Sequence, residues 1–380
     1  MKENFRDYHL FQILKLYEEQ SAPLDLFLKN YFKKNHAVGS KDRKIICESL
    51  YLMIRWRGLL DHLCEKPVNW KNRHRCLQHF SPQSHLQNDQ IPSHVRVSFP
   101  KAFFQLLEES LGPELAWEFC LASNETAPTT VRVNLLKTSR DAMLSKWQPH
   151  YKVSACTHSA TGIIFDKKEN FFGMPEFKEG CFEVQDEASQ LIADLIDPKP
   201  TDHVLDFCAG SGGKTLGFAP KMKARGQIFL HDIRPHALAE AKKRLKRAGI
   251  QNAQILLPDS PQKNQLLHKM DWVLVDAPCT GTGTLRRNPD MKWKFSPEMV
   301  DRLKSEQRLI FKEALQFLRP GGCIVYATCS VLPQENEEQA AYFQKEFNLT
   351  PLAPPLKTFP KSHGMDGFFG VVFQKATIGV

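Results

Sequence analysis

The 380-residue chain contains no apolar run close to the roughly 18 residues that a membrane span requires. The first residues, MKENFRDYHLFQILKLYEEQ, contain no apolar core followed by a cleavage site, so no secretory leader is expected. The ten cysteines form no Cys-x-x-Cys pair, which is the usual arrangement in zinc and redox sites. These absences predict a cytoplasmic protein with reduced thiols, no membrane attachment and no bound metal.

A complete phosphate-binding loop is missing as well. The stretch LDFCAGSGGKT, residues 205–215, resembles one, but a Walker A loop requires glycine where this chain has Cys208. The dinucleotide pattern Gly-x-Gly-x-x-Gly begins at Gly210 and ends on Thr215 instead of glycine. Each pattern fails by one residue, so the loop is expected to hold another kind of ligand.

Charge of one sign is in excess. The chain has 51 Lys and Arg against 42 Asp and Glu, which gives a formal net charge of +9 and a pI near 9.0. Such a balance indicates an anionic partner, with nucleic acid as the first expectation.

Hydrophobic periodicity divides the chain into four parts. Residues 1–79 show apolar positions at helical spacing, residues 80–94 read as a polar linker, and residues 95–180 predict a small α+β domain. From residue 181 to 380, short apolar strands alternate with amphipathic helices, which predicts a doubly wound, mostly parallel α/β sheet.

Three local features are predicted in more detail. Ser40 is expected to cap the N-terminus of a helix. A long helix is expected to begin at Pro297, with Ser296 as its cap, and to stop at Gly321. The tail DGFFGVVFQK is expected to add an antiparallel hairpin at the edge of the sheet.

The candidate ligand site lies where the strands end. Ligands of open α/β sheets bind at the carboxyl ends of the strands, and the small residues 209–213 allow close approach of the backbone. Four strands are predicted to end in an aspartate, which would repel a pyrophosphate but suits the sulfonium and ammonium of S-adenosylmethionine. These residues are Asp206, Asp232, Asp259 and Asp276.

Two cysteines follow apolar strands at the same predicted edge. Cys279 lies in DAPCTGTGTLRRNPDMKW and Cys329 in YATCSVLPQENE. A lone cysteine is usually an inert buried residue, but two at a ligand-binding edge indicate nucleophilic chemistry.

These motifs resemble those of the Sun/NOP-type RNA 5-methylcytosine methyltransferases, in particular the bacterial ribosomal RNA enzymes with a domain similar to the antiterminator NusB. SKDRKIICESLYLMIRWR is similar to the NusB-like signature, and NETAPTTVRVNLLKTSR to the middle domain. FEVQDEASQLIADLI and the two cysteine motifs are the most specific matches. The resemblance implies a Rossmann-like class I S-adenosylmethionine-dependent methyltransferase domain, preceded by an all-α NusB-like domain and a small α+β RNA-binding domain.

The resemblance also implies roles for individual residues. Cys329 is expected to be the nucleophile and Cys279 to assist release of the methylated base. The family loop usually contains Ala-Pro where this chain has Gly210 and Ser211, and both forms are small. The residues expected to hold the cofactor are Cys208, Ala209, Gly210, Ser211, Gly212, Gly213, Lys214, Asp232, Asp259 and Asp276.

The implied substrate is a cytosine of RNA, with 16S ribosomal RNA favoured and transfer RNA as the alternative. A non-catalytic RNA-binding ribosome-assembly factor, an NTPase and an exchange of the two cysteine roles are further alternatives. The basic residues that follow Cys279, from Arg286 to Lys294, are expected to contact RNA phosphates, with Trp293 stacking on a base. A monomer is expected.

Overall fold

The computed structural model describes residues 4–20 and 22–377. Within these bounds the chain forms two compact units, here called the helical unit and the sheet unit. The helical unit contains the residues up to Thr126 together with Thr284–Pro297, and the sheet unit contains Ala127–Gly283 and the residues from Glu298 onward.

The helical unit is built from amphipathic helices around an apolar core. In α1, the buried residues Leu10, Ile13, Leu14 and Tyr17 recur at three- and four-residue spacing, which places them on one face. The helices are α1 (Phe5–Glu18), α2 (Leu24–Lys34), α3 (Ser40–Arg55), α4 (Arg57–Leu63), α5 (Trp70–Leu77), α6 (Ser93–Arg96), α7 (Lys101–Leu111) and α8 (Pro113–Ser123).

Two expectations about helix ends in this unit have different outcomes. The helix α3 begins at Ser40, but Gly39 occupies the cap position, so the prediction of Ser40 as the cap is wrong. The break between α7 and α8 is confirmed, because Gly112 has a φ of +82° and Pro113 starts the next helix.

A small four-stranded sheet begins the sheet unit. Its strands lie in the order β2-β3-β1-β4 and all pair antiparallel. Aromatic residues, including Trp147, Phe165 and Phe182, fill its core. The elements are β1 (Thr129–Val133), α9 (Arg140–Trp147), β2 (Val153–Ala155), β3 (Gly162–Phe165), α10 (Pro175–Lys178) and β4 (Phe182–Val184).

The large sheet has the order β10-β12-β9-β8-β5-β6-β7, with β11 paired to β12. Neighbours from β7 to β9 pair parallel, and β12 pairs antiparallel with β9. This arrangement confirms the predicted α/β fold class. The strands are β5 (His203–Asp206), β6 (Gln227–His231), β7 (Ala253–Leu256), β8 (Met270–Asp276), β9 (Leu318–Thr328), β10 (Leu349–Pro351), β11 (Leu356–Lys357) and β12 (Phe369–Lys375).

Seven helices accompany these strands along the chain. Six of them begin in the sheet unit or at its boundary, and α15 belongs to the helical unit. The helices are α11 (Glu187–Asp194), α12 (Thr215–Phe218), α13 (Pro235–Ala248), α14 (Gln262–Gln265), α15 (Met291–Lys294), α16 (Pro297–Leu315) and α17 (Glu337–Phe347).

Two predicted details of the large sheet are corrected. The helix α16 ends at Leu315, and Gly321 lies inside β9 with a φ of +72°. This stretch belongs to the sheet because it pairs with β8. Gly321 therefore lies in an irregular part of the strand and does not end a helix. The tail strand β12 is antiparallel as expected, but β10 covers it and takes the edge position.

Candidate active site

The candidate site is the edge at which the parallel strands of the large sheet end. Asp206 and Asp276 are the last residues of β5 and β8. Asp232 and Cys329 directly follow β6 and β9. The register pairs Asp206 with Leu230 and Leu274, and Asp276 with Ala327, so the four strand ends lie at the same edge of the sheet and are staggered by two residues between neighbouring strands. The predicted convergence of carboxylates and a cysteine at one edge follows from this register.

The glycine-rich loop connects β5 to α12. Gly210 and Gly212 have φ values of +52° and +77°, which glycine adopts without strain. A Cβ added to Gly212 would lie 3.3 Å from the Cβ of Ala241 in α13, which is a tight contact. The loop therefore depends on glycine for both its path and its packing.

Two arginines from outside the glycine-rich loop donate hydrogen bonds to its oxygen atoms. Arg132 of β1 donates from Nη1 to the carbonyl of Gly213 at 2.9 Å. Arg244 of α13 donates from Nη1 to the carbonyl of Ser211 at 2.9 Å and to its Oγ at 2.7 Å. Sequence reasoning missed both roles, because neither arginine stands near the loop in the chain.

Asp232 is a buried carboxylate that is already well hydrogen-bonded. Its Oδ2 accepts from Gly210 N at 2.8 Å, and both oxygens accept from the guanidinium of Arg234. Burial alone would raise the pKa of Asp232, but the hydrogen bonds from Arg234 and Gly210 outweigh it and lower the pKa. The group is held in the charged form that suits ribose hydroxyls.

Asp206 lies beneath the loop and is 1% exposed. Its Oδ2 accepts from the Thr215 hydroxyl at 2.6 Å, whereas Oδ1 has no hydrogen-bond partner among the described residues. Burial raises the pKa of this carboxyl to about 7. An unpartnered buried oxygen beside a glycine cradle fits a cationic, hydrogen-bond-donating ligand such as S-adenosylmethionine.

Two of the predicted cofactor residues have other surroundings. Asp259 is exposed in a turn beyond Leu256, where β7 ends, so the prediction that this strand ends in Asp259 is wrong. Cys208 is half-buried in the glycine loop, and burial raises the pKa of its thiol well above the ordinary value. Their contact with a cofactor stays a prediction.

The two predicted cysteines meet at the end of β8 and β9. Their sulfur atoms lie 3.4 Å apart, and both thiols are free and half-buried. The hydrogen bond with Cys329, burial, and the charge that Cys329 would carry all raise the pKa of Cys279. The raised pKa opposes ionisation of Cys279 in this arrangement.

Lys214 connects the loop to this thiol pair. Its Nζ donates to Oδ2 of Asp276 at 2.5 Å and lies 5.3 Å from the centre of the Phe368 ring. Burial would lower the pKa of Lys214, but Asp276 outweighs that effect and raises it, and Cys329 adds to the increase. The site thus contains an ammonium that forms an ion pair with Asp276 and interacts electrostatically with Cys329.

A buried polar network flanks both cysteines. Glu335, which is 0% exposed, accepts from Thr280 N at 2.9 Å and from Thr280 Oγ1 at 2.5 Å. The neighbouring Asn336 accepts from Thr328 Oγ1 at 2.5 Å and donates to the carbonyl of Ser330 at 2.9 Å. Both residues stand in the motif that contains Cys329, but their burial could not be read from it.

The basic segment after Cys279 does not present the expected phosphate contacts. Arg286 and Lys292 are each 1% exposed. Lys292 donates from Nζ to the carbonyl of Arg55 and to Oδ1 of Asn124, each at 2.6 Å. The indole of Trp293 donates to the carbonyl of Ile54 at 2.8 Å. Because Arg286 and Lys292 are buried, the prediction that they contact RNA phosphates is wrong. The RNA contacts expected of Arg287, Lys294 and Trp293, which are half-buried, stay a prediction.

Comparison with known proteins identifies the family of the chain. Residues 193–374 match the family described as 16S rRNA methyltransferase RsmB/F, and residues 99–171 match its ferredoxin-like domain. The chain is 31% identical over 331 residues to ribosomal RNA small subunit methyltransferase B of Vibrio vulnificus, which covers 84% of this chain and 74% of that protein. It is 34% identical over 271 residues to the protein of the same name from Proteus mirabilis, covering 69% and 63%.

A solved structure extends the comparison to the fold. The methyltransferase homolog protein from Pyrococcus horikoshii superposes with a TM-score of 0.63 at 26% identity, over 74% of this chain and 97% of that chain. Fold, site and matches define an S-adenosylmethionine-dependent RNA cytosine-5 methyltransferase. The chain belongs to the RsmB/F family of 16S rRNA methyltransferases.

The family assignment confirms the enzyme class, the cofactor and the RNA nature of the substrate. It also confirms the predicted order of a helical region, a small α+β domain, which is ferredoxin-like, and a Rossmann-like methyltransferase domain. Between residues 4 and 377, with residue 21 left aside, no helix is both long and apolar enough to cross a membrane.

Proposed function

We propose that this enzyme methylates carbon 5 of a cytosine in 16S ribosomal RNA through a covalent adduct with Cys329. One observation carries the covalent part of the proposal: two free thiols lie 3.4 Å apart at the edge where the strand-end carboxylates meet. The choice of 16S ribosomal RNA is supported by relatives named ribosomal RNA small subunit methyltransferase B.

Carbon 5 of cytosine is too weak a nucleophile to react unaided, which explains the need for a thiolate. The Cys329 thiolate adds to carbon 6, and the electron pair displaced from the ring makes carbon 5 nucleophilic. S-adenosylmethionine supplies the methyl group that carbon 5 takes up. A base then takes the proton from carbon 5, and the electron pair of the broken C–H bond restores the double bond and expels the Cys329 sulfur as a thiolate.

Charge that develops on the ring during addition needs a partner at nitrogen 3. We assign this contact to Asp276: its carboxyl, hydrogen-bonded at 2.5 Å to the Lys214 ammonium, passes a proton from that ammonium to nitrogen 3 as the ring becomes negative. The same ammonium favours a negative charge on Cys329, because the two groups interact electrostatically. Lys214 thus assists both Cys329, which attacks the ring, and Asp276, which contacts nitrogen 3.

The second thiol is suited to the release step. The sulfur atoms lie 3.4 Å apart, so a Cys279 thiol can donate a hydrogen bond to the Cys329 sulfur while that sulfur leaves carbon 6 as a thiolate. The exchanged assignment, with Cys279 as the nucleophile, would place the ionising thiol in the turn that the Glu335 carboxylate holds through Thr280. We therefore keep Cys329 as the nucleophile and Cys279 as the residue that assists release.

The cofactor is proposed to lie on the glycine loop, with its ribose at Asp232 and its cationic methionine part among the carboxylates. We also propose that the enzyme acts as a monomer and without a metal ion. The residues proposed to hold the cofactor are Cys208, Ala209, Gly210, Ser211, Gly212, Gly213, Lys214, Asp232, Asp259 and Asp276.

A direct test uses S-adenosylmethionine with a labelled methyl group and two purified RNAs. The enzyme should label 16S ribosomal RNA at a single cytosine, found by bisulfite sequencing, and leave transfer RNA unlabelled, with chelators present throughout. Labelling of transfer RNA alone would replace the substrate proposed here. Binding of RNA without any labelling would favour the assembly-factor alternative.

A further inference from the structure

The polar network around the thiols is asymmetric. Cys279 is flanked by Pro278 and Thr280, and both neighbours are held: Gln307 donates from Nε2 to the carbonyl of Pro278 at 3.0 Å, and Glu335 accepts twice from Thr280. Gln307 also donates to Oε1 of Glu335 at 3.1 Å, which closes the network around this turn.

Asn336, the residue after Glu335, holds the backbone around Cys329 in the same manner. Asn336 binds the Thr328 hydroxyl on one side of Cys329 and the Ser330 carbonyl on the other. The carbonyl of Cys329 itself accepts from Gly283 N at 2.9 Å. One dipeptide therefore contacts both cysteine turns: Glu335 holds Thr280 next to Cys279, and Asn336 holds the two residues that flank Cys329.

The two members of this dipeptide differ in charge. Glu335 brings a carboxylate to the Cys279 turn, and that charge contributes to the raised pKa of Cys279. Asn336 brings a neutral amide to the Cys329 turn, so it imposes no such penalty on a thiolate there. Other charges also act here: the two thiols act on each other, and Lys214 interacts with Cys329. The pKa of the nearby Tyr326 hydroxyl is raised by burial first and then by Cys279 and Glu335.

We propose that Glu335 and Asn336 are positioning residues that hold the two sulfur atoms in contact and fix which of them is the thiol and which the nucleophile. This inference rests on the proposed function of the cysteines. Glu335 acts on Cys279 and hence on release, and Asn336 acts on Cys329 and hence on addition. A network with a merely structural role would affect both steps alike.

The test measures the two steps separately. Adduct formation is followed as a gel-stable complex with RNA that contains 5-fluorocytosine, from which the enzyme cannot be released after methylation. Release is followed as the decay of the complex formed with ordinary RNA. The variants are Glu335→Gln and Asn336→Asp, which keep the size of the side chain and exchange its charge, with Glu338→Gln on the exposed face of α17 as the matched control.

Glu335→Gln should form the adduct within about threefold of the wild-type rate but release ordinary RNA about 10- to 100-fold more slowly, the scale expected for a misplaced reacting group. Asn336→Asp should slow adduct formation by a similar factor, because it places a carboxylate beside the thiolate. Glu338→Gln should change neither rate. Equal effects of Glu335→Gln and Asn336→Asp on both steps, or no effect, would overturn the proposal.

Two further measurements keep the outcome decisive. Affinity for S-adenosylmethionine and the melting temperature should stay close to wild type in both variants. If Glu335→Gln fails to fold, Thr280→Val removes one hydrogen bond to the same carboxylate and should slow release, and a wild-type release rate would contradict the proposal. Failure of the proposed function is recognised separately, because the wild-type enzyme would then form no adduct with 5-fluorocytosine RNA.

Discussion

Two stretches of this chain carry motifs of the same family and have opposite surroundings in the structure. The edge of the large sheet gathers Asp206, Asp232, Asp276 and Cys329 from four separate strands. The basic segment that begins at Thr284 is buried in the helical unit, where its lysines and its tryptophan satisfy backbone carbonyls. Residues close to a catalytic cysteine in sequence need not be part of its chemistry, whereas residues distant in sequence can be.

The largest effect should come from Cys329, the proposed nucleophile at the sheet edge. Cys329→Ser should reduce methyl transfer by about four orders of magnitude or more, because a serine hydroxyl does not ionise at neutral pH. Labelled-methyl incorporation into RNA measures the loss. Cys323→Ser, in the same strand, should keep the activity. Comparable losses in both variants would indicate that a serine at either position of this region inactivates the enzyme. The loss in Cys329→Ser would then not identify Cys329 as the nucleophile.

The next effect concerns the cofactor side of the same edge. Asp232→Asn should weaken binding of S-adenosylmethionine about 10- to 100-fold, since hydrogen bonds to a charged group are worth ~1.5–3 kcal/mol. Titration calorimetry measures this affinity without any turnover. Asp271→Asn, at the opposite end of β8, is the control. Unchanged affinity in Asp232→Asn would place the ribose elsewhere.

A substitution at a buried residue of the basic segment should lower the stability of the protein and leave its affinity for RNA unchanged. Lys292→Met should destabilise the helical unit by about 3 kcal/mol, because two buried acceptors lose their donor. Lys44→Met, which removes an exposed lysine of the same unit, should have little effect on stability. Denaturant unfolding measures the difference.

The alternative for Lys292 has a distinct signature. If Lys292 contacted a phosphate, Lys292→Met would lower the affinity for RNA at a temperature where the variant is folded. It would also reduce the salt dependence of that affinity by about one unit of slope. We expect neither change while the protein is folded. A reduced slope with unchanged stability would return Lys292 to the RNA interface.

The smallest effect is a pH dependence at Asp206. Its pKa rises from 3.8 in the unfolded chain to about 7 in the folded chain. At pH values between these two, the folded chain therefore binds more protons than the unfolded chain. The stability that this carboxyl contributes is therefore present at low pH and lost as the pH rises towards 7. The melting temperature of wild type should fall more between pH 5 and pH 8 than that of Asp206→Asn. Identical pH dependences would exclude this carboxyl as the cause.

Much of the sheet edge could be predicted because periodicity locates strands and parallel pairing brings their ends together. Asp259 was misplaced because a turn separates it from the end of β7, and propensity does not define such boundaries. Gly321 resembles a helix stop, but pairing of β9 with β8 determined its place. These errors arise where tertiary contacts override a local signal.

The remaining differences concern burial. Lys292 and Trp293 have the composition of a nucleic-acid contact, and only the packing of the helical unit shows that they serve as internal donors. Glu335 and Asn336 look like polar residues ahead of a helix, although the structure buries both at 1% exposure or less. A single sequence carries no direct signal for the satisfaction of buried polar groups.

The central claim is that Cys329 attacks carbon 6 of the target cytosine while Cys279 remains a thiol beside it. The enzyme can be trapped on RNA containing 5-fluorocytosine, digested with protease and nuclease, and analysed by mass spectrometry. The account predicts a nucleotide attached to the peptide that contains Cys329, in wild type and in Cys279→Ala. Attachment to the peptide that contains Cys279 would contradict it.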